Sequence, residues 1–178
     1  EEALQVAIKA DDESGVFHAI RASVARYKDS PDNMTGRVFL PALRYLTDRG
    51  RHGWINAVWP RSENEGLFRS LAPEQEDEVL ASMVICPNIN HNAEQILKAI
   101  AAKSPEKVID FFGKRLAHEK GLQSSRGYDE VPYEFHDLRE TLQKIPEQLV
   151  AKVREWFASD NELFAYRGGR MIAAVFPE

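Results

Sequence analysis

Nitrogen and carboxylate donors stand side by side at His136-Asp137, near the end of SSRGYDEVPYEFHDL, the stretch from Ser124 to Leu138. Such a pair suits a divalent ion whose bound water serves as a nucleophile. Around it crowd Tyr128, Asp129, Glu130, Tyr133, Glu134 and Phe135, aromatic and acidic groups that could equally recognise a partner. A second set lies in RVFLPALRYLTDRGRHGWINAVWPR. Here Arg37, Arg44, Arg49, Arg51 and Arg61 meet one acid, Asp48, and two tryptophans, Trp54 and Trp59. Arginine beside exposed aromatic rings grips phosphates and stacks bases, so the chemistry on offer is nucleic-acid binding.

Each set also has a plainer explanation. Asp137 precedes Glu140 by three residues, directly ahead of LRETLQKI, which is a capping-box-like helix start. Such a cap is worth about 1 kcal/mol, reason enough for the aspartate to be there. His136 then falls outside the helix, and Pro132 keeps the residue before it extended. The stretch reads as a connector with Tyr128, Tyr133 and Phe135 as its packing pins. The His-Asp pair also resembles that of HD-type metal phosphohydrolases. That resemblance implies a metal held by His136, Asp137, an upstream His91 or His118, and Asp160. A lone dipeptide is a weak motif, and the expectation is no metal and no cofactor. In the second set, Trp54 and Val58 stand at helical spacing and are expected to pack inside.

Composition narrows the field further. Over 178 residues the chain is 43% hydrophobic and 29% charged, the balance of an ordinary globular protein. Its net charge of −5 gives no general drive toward nucleic acid or anionic lipid, so the nucleic-acid reading is disfavoured. Cys86, the only cysteine, excludes a disulfide framework within the chain and ends the apolar run MVIC, as a small buried side chain would. A reducing compartment, the cytoplasm, is the expected location. No apolar run approaches the roughly 20 residues that span a membrane. The first residues, EEALQVAIKADDE, lack a basic start before an apolar core and do not read as a signal peptide. The absence of an opening methionine suggests a segment of something longer. No Walker loop, GxGxxG, GxSxG or HExxH is present.

The elements that must position these groups are helical. In PEKVIDFFGKRLAHEKG, Val108, Ile109, Phe111, Phe112 and Leu116 share one broad face. Ser104-Pro105 reads as an N-cap and first turn, and Gly121 as the stop. Similar spacing predicts helices near 3–10, 14–28, 34–49 (Pro41 early or at a kink), 52–59, 63–71, 74–86, 91–103, 138–145 and 147–158. EQEDE, from Glu74 to Glu78, is expected to be a solvated first turn suited to the helix dipole. No run before residue 160 alternates as a strand does. In the tail, Gly168-Gly169 within YRGGR is expected to break the chain ahead of a last helix on Met171, Ile172 and Val175, with a hairpin turn as the alternative.

The helix starts repeat. DSPDN, LAPEQ, KSPEK and KIPEQ place Pro31, Pro73, Pro105 and Pro146 at intervals of roughly 30 to 45 residues, room for a helix pair and its turns. On these marks, with Val108, Ile109 and Phe112 echoed by Leu149, Val150 and Val153, the chain resembles the HEAT and armadillo class of helical repeats. The resemblance implies an all-α structure of antiparallel helix pairs stacked as a short right-handed α-solenoid over one domain, residues 1–178. An irregular helical bundle is the alternative. With no catalytic constellation left standing, the expected function is protein binding or scaffolding inside a larger protein, without activity of its own. The partner is another protein or a neighbouring domain. The candidate contact residues are Tyr128, Asp129, Tyr133 and Phe135, with Arg49, Arg51 and Trp54 in the second set.

Overall fold

Three of the four proline marks open helices. The computed structural model describes residues 1–27, 35–58, 65–122, 127–159 and 161–177. Pro31, Trp59, Arg61, Ser124 to Arg126 and Asp160 lie outside the described residues. No strand occurs among the described residues, so the fold is all-α. The chain divides into two units, Glu1–Met83 and Val84–Glu178.

The first unit holds α1 (Glu2–Lys9), α2 (Glu13–Tyr27) and a π-helical turn, Thr35–Phe39, that runs straight into α3 (Leu40–Asp48). Pro41 sits in the first turn of α3, where its missing N–H costs nothing. The short α4 (Trp54–Val58) and α5 (Glu65–Arg69) follow, then α6 (Pro73–Val84). Helix α2 is the hub, touching α1, the π turn, α3 and α4. The core includes Leu4, Val16, Ile20, Leu43 and Leu46, and Phe39 within it meets Trp54 and Phe68 edge-on, each at 6.1 Å between ring centroids. The expectation of a solvated EQEDE fails at Glu76, which is buried, while Glu78 binds Arg44. Position four along the helix returns to the inner face, and the acid at that position goes in with it.

In the second unit, α7 (His91–Ala101) and α8 (Pro105–Gly121) precede the connector. Then come α9 (Arg139–Leu142), α10 (Pro146–Ala158) and α11 (Glu162–Val175). Helix α8 touches α7, α10 and α11, and α11 also touches α9. In both units a central helix contacts several others, including ones that are not its neighbours in sequence. This pattern favours the irregular-bundle alternative over a regular stack of pairs. Val108, Ile109, Phe112, Val153 and Trp156 are all buried, as their spacing requires. Fully burying each such side chain is worth about 1.5 to 3 kcal/mol.

The tail corrects one expectation. Gly168-Gly169 does not break the chain; both lie inside α11, which starts on Asn161, whose side chain accepts from the Leu163 N–H. A Cβ at Gly168 would come within 3.2 Å of Val153 Cγ1 and 3.3 Å of Phe157 Cε2. Glycine is there because α10 and α11 cross closely, and a close crossing needs the missing side chain as much as a turn does.

Candidate functional site

The apolar stripe of α8 continues into charged residues. Val108 and Phe111 are followed, at helical spacing, by Arg115 and Glu119, and both charged side chains are buried. Arg115 donates from Nε to Glu130 O at 2.9 Å and from Nη2 to Asp129 O at 2.6 Å. From Nη1 it reaches Val84 O at 3.1 Å and Cys86 O at 2.7 Å. The guanidinium also stacks over the Tyr128 ring, 4.6 Å from its centroid. A buried cation thus ties the connector backbone to the last residue of α6 and to Cys86 just beyond it. Tyr128 Oη donates to Val84 O at 2.5 Å, and the Asp129 N–H donates to Pro87 O at 2.6 Å. Burial pushes the Tyr128 phenol and the Cys86 thiol up to about 12, so neither supplies a nucleophilic anion near neutral pH.

Helix α11 holds the connector's side chains. Arg170 pairs with Asp129 and reaches Glu130 at 3.6 Å. Arg167 pairs with Glu130 and reaches Glu119 at 3.2 Å. Glu130 is fully buried, and its Oε2 has no hydrogen-bond partner among the described residues. Burial first, and the neighbouring Glu119 carboxyl after it, raise the Glu130 pKa above the ordinary range, against the pull of Arg167.

On the outer side of Arg170 lies Tyr133, its ring centroid 3.3 Å from the guanidinium carbon. Tyr133, Phe157 and Tyr166 are 74%, 54% and 64% exposed, a high degree for such large side chains. They line one groove of about 510 Å³, completed by Ala165, Gly169, Arg170 and Ala173. Of the connector candidates, Tyr133 faces this groove. Tyr128 is half-buried against Arg115. Asp129 is tied to Arg170, and Phe135 is fully buried against Phe112, with centroids 5.5 Å apart.

Of the residues in the metal reading, the structure brings His91 beside Asp137, while Asp160 lies outside the described residues. His136 is exposed, and His118 stacks near Tyr128. Asp137 faces His91 Nδ1 at 3.2 Å and Lys98 Nζ at 3.8 Å, so a fixed ammonium stands beside the carboxylate. Among the described residues no group of three His, Cys, Asp or Glu could hold a metal ion. The capping box is also corrected. Leu138, not Asp137, occupies the N-cap of α9, without a side-chain cap bond. The buried carboxylate of Glu94 on α7 does the work instead, accepting the N–H of Asp137 at 2.7 Å and of Leu138 at 2.8 Å. A charged acceptor already fixed in the core satisfies two backbone donors at once, which frees Asp137 for its surface cations.

In the arginine-rich stretch each of the four described arginines meets an acid. Arg44 grips Glu78 through both carboxylate oxygens at 2.6 and 2.7 Å, and Arg51 meets Glu13 at 2.9 Å. Arg49 binds Asp11 at 2.8 Å and lies over the Tyr45 ring at 3.7 Å, while Arg37 is 3.9 Å from Glu1. Trp54 is fully buried, as its spacing with Val58 led one to expect. The stacking platform and the free cations that a phosphate surface needs are therefore not offered by these residues.

No protein-family model, curated protein or solved structure matches this chain. Among the described residues no helix is long and apolar enough to cross a membrane. Sequence reasoning missed Arg115, Glu94, Phe157, Tyr166, Arg167 and Arg170 as organisers of this region. Arg115 carried a readable signal, a cation on the apolar stripe of α8 four residues after Phe111. The groove carried none, since it depends on which helices cross.

Proposed function

We propose that the segment is a protein-interaction module that engages its partner through the Tyr133–Phe157–Tyr166 groove of the second unit. The observation that carries this reading is three large aromatic side chains exposed together on a floor of alanine and glycine. Large exposed apolar patches mark interaction sites, and tyrosine at such a site contributes area at low entropic cost. Arg115 and Arg170 hold the connector in place, so little ordering has to be supplied when the partner arrives. The reading does not depend on a repeat architecture, and the partner is a separate protein or another part of a longer chain.

The test is photo-cross-linking in host extract, with a photoreactive phenylalanine at position 133 or 166 and, as a control, at 51. A single cross-linked partner from both groove positions, its capture from position 166 lost in Tyr133→Ala combined with Phe157→Ser, is the expected result. Capture that is indifferent to those substitutions, or stronger at position 51, contradicts the reading.

A further inference from the structure

We propose that Glu119 and Glu130 hold one proton between them, and that its departure loosens the Arg170 wall of the groove, so that docking is controlled by pH. The control of docking rests on the reading above; the shared proton does not. Charge is the first support. Three carboxyls, Glu119, Asp129 and Glu130, meet two guanidiniums where α8, the connector and α11 come together. Arg167 pairs with Glu130 and reaches Glu119 at 3.2 Å, while Arg170 pairs with Asp129 and lies 3.6 Å from Glu130. Arg115, the next cation, directs its donors to the carbonyls of Val84, Cys86, Asp129 and Glu130. With every carboxyl ionised, the five paired side chains would carry three negative charges against two positive. One retained proton removes the excess, and unbalanced charge is what a buried site tolerates least.

Hydrogen bonding points the same way. Glu119 is 5% exposed and Glu130 0%. Glu119 Oε2 and Glu130 Oε2 are both buried without a donor among the described residues. The two carboxyls lie within hydrogen-bonding reach of each other. Ionised carboxylates only accept, so a proton on one of them is the donor that this contact needs. Burial first, and that contact after it, raise the Glu130 pKa, in keeping with a proton held beyond the ordinary glutamate range. The other titratable groups around the pair are His118, its ring 5.3 Å from that of Tyr128, and Tyr128 and Cys86, which burial keeps neutral.

Arg170 carries the change outward. It lines the groove and lies beneath Tyr133, 3.3 Å from the ring centroid. When the proton leaves, Glu130 gains a full charge 3.6 Å from Arg170 and competes with Asp129 for it. Arg170 is drawn inward, and Tyr133 loses the cation on which it stacks. The sign follows from which form binds the proton. The folded chain with the proton in place has the wall set, so the wall holds below the raised Glu130 value and slackens as pH rises through it.

Carbon-detected NMR of the whole chain, labelled at its glutamate carboxyls, reads the proton directly. The Glu119 and Glu130 carboxyl carbons should move together in one step above the ordinary glutamate range, and the Tyr133 ring protons should follow that step. In Glu119→Gln the shared step should vanish, with the Glu130 midpoint falling by about one pH unit or more as its like-charged neighbour disappears. Glu130→Gln, the second variant should the first not fold, should leave Tyr133 still across the same range. Carboxyls that titrate independently or not at all, or a shared step that leaves Tyr133 unmoved, overturn the proposal. Cross-linking from position 166 should weaken above the step in the native chain and not in Glu130→Gln. Capture indifferent to pH overturns the control of docking. If the shared step is found but cross-linking ignores Tyr133 and Phe157, the docking reading falls and the proton-linked wall stands.

Discussion

Each unit contains the same three groups, a carboxylate, a tyrosine and an arginine, joining a turn to a helix. In the first, Asp11 lies in the turn between α1 and α2 with φ of 53°, accepting from Tyr45 Oη at 2.6 Å and from Arg49. In the second, Asp129 and Glu130 accept from Arg170 and Arg167, and Tyr133 covers Arg170. The chemistry is alike but the setting is not. Arg49 and Asp11 are 42% and 72% exposed, whereas Arg170 is 7% and Glu130 is 0% exposed. The carboxyl groups shift in opposite directions as a result. The Tyr45 hydroxyl and Arg49 hold Asp11 below the usual range, while burial lifts Glu130 above it. An exposed cluster adjusts a surface, and a buried one decides where a backbone goes, because its desolvated charges have no alternative partner in water.

The largest effect should come from the cation that reads the connector's backbone. Arg115→Met leaves the carbonyls of Val84, Cys86, Asp129 and Glu130 without their donor. A loss of about 3 to 5 kcal/mol in urea unfolding of the second unit is expected, as for other broken buried charge networks. Next in size, Arg170→Met should cost about 2 to 3 kcal/mol by stranding Asp129 and Glu130. Arg49→Met should give only a small shift that vanishes in high salt. Equal effects from these two substitutions would break the comparison.

Adjacent glycines sharpen it at smaller scale. Gly169→Ala should stabilise by about 0.5 to 1 kcal/mol, since helix propensity acts unopposed. Gly168→Ala should instead destabilise by roughly 0.5 to 1 kcal/mol, because overpacking against buried Val153 outweighs the propensity gain. Thermal melts of the two variants give the signs directly.

The smallest effects are in pH dependence. Glu130 has a raised native pKa, so the folded state binds its proton more tightly than the unfolded chain does. Its contribution to stability declines as pH climbs from the ordinary glutamate range through the raised value, and Glu130→Gln should remove that decline. Asp11 has a lowered native pKa, so its contribution is present above the ordinary aspartate range and is lost as pH falls through it. Asp11→Asn should remove that acid loss. Urea midpoints between about pH 3 and about pH 8 test both slopes.

The helices were legible because apolar spacing and proline starts are local. Pro73, Pro105 and Pro146 each open a helix, and Val153 and Trp156 are inside. What stayed hidden depends on contacts between distant residues. The capping of α9 comes from Glu94, more than 40 residues earlier in the chain, so the local Asp137–Glu140 pattern misled. The glycine pair was ambiguous for the same reason, since a turn and a close helix crossing call for the same missing side chain. Among the connector's aromatics only Phe135 serves fully as a packing pin, and Tyr133 turns outward because Arg170, from α11, occupies the space beneath it.

That the connector is a preformed platform, held by Arg115, is most directly tested by amide hydrogen exchange at Asp129. Its N–H donates to Pro87 O, while the Asp137 and Leu138 amides rest independently on Glu94. In the native chain all three should exchange slowly. In Arg115→Met the Asp129 amide should speed up toward loop rates while Asp137 and Leu138 remain protected, because local opening follows the loss of local bonds. An Asp129 amide that already exchanges at loop rates in the native chain would contradict the platform and, with it, the preformed groove.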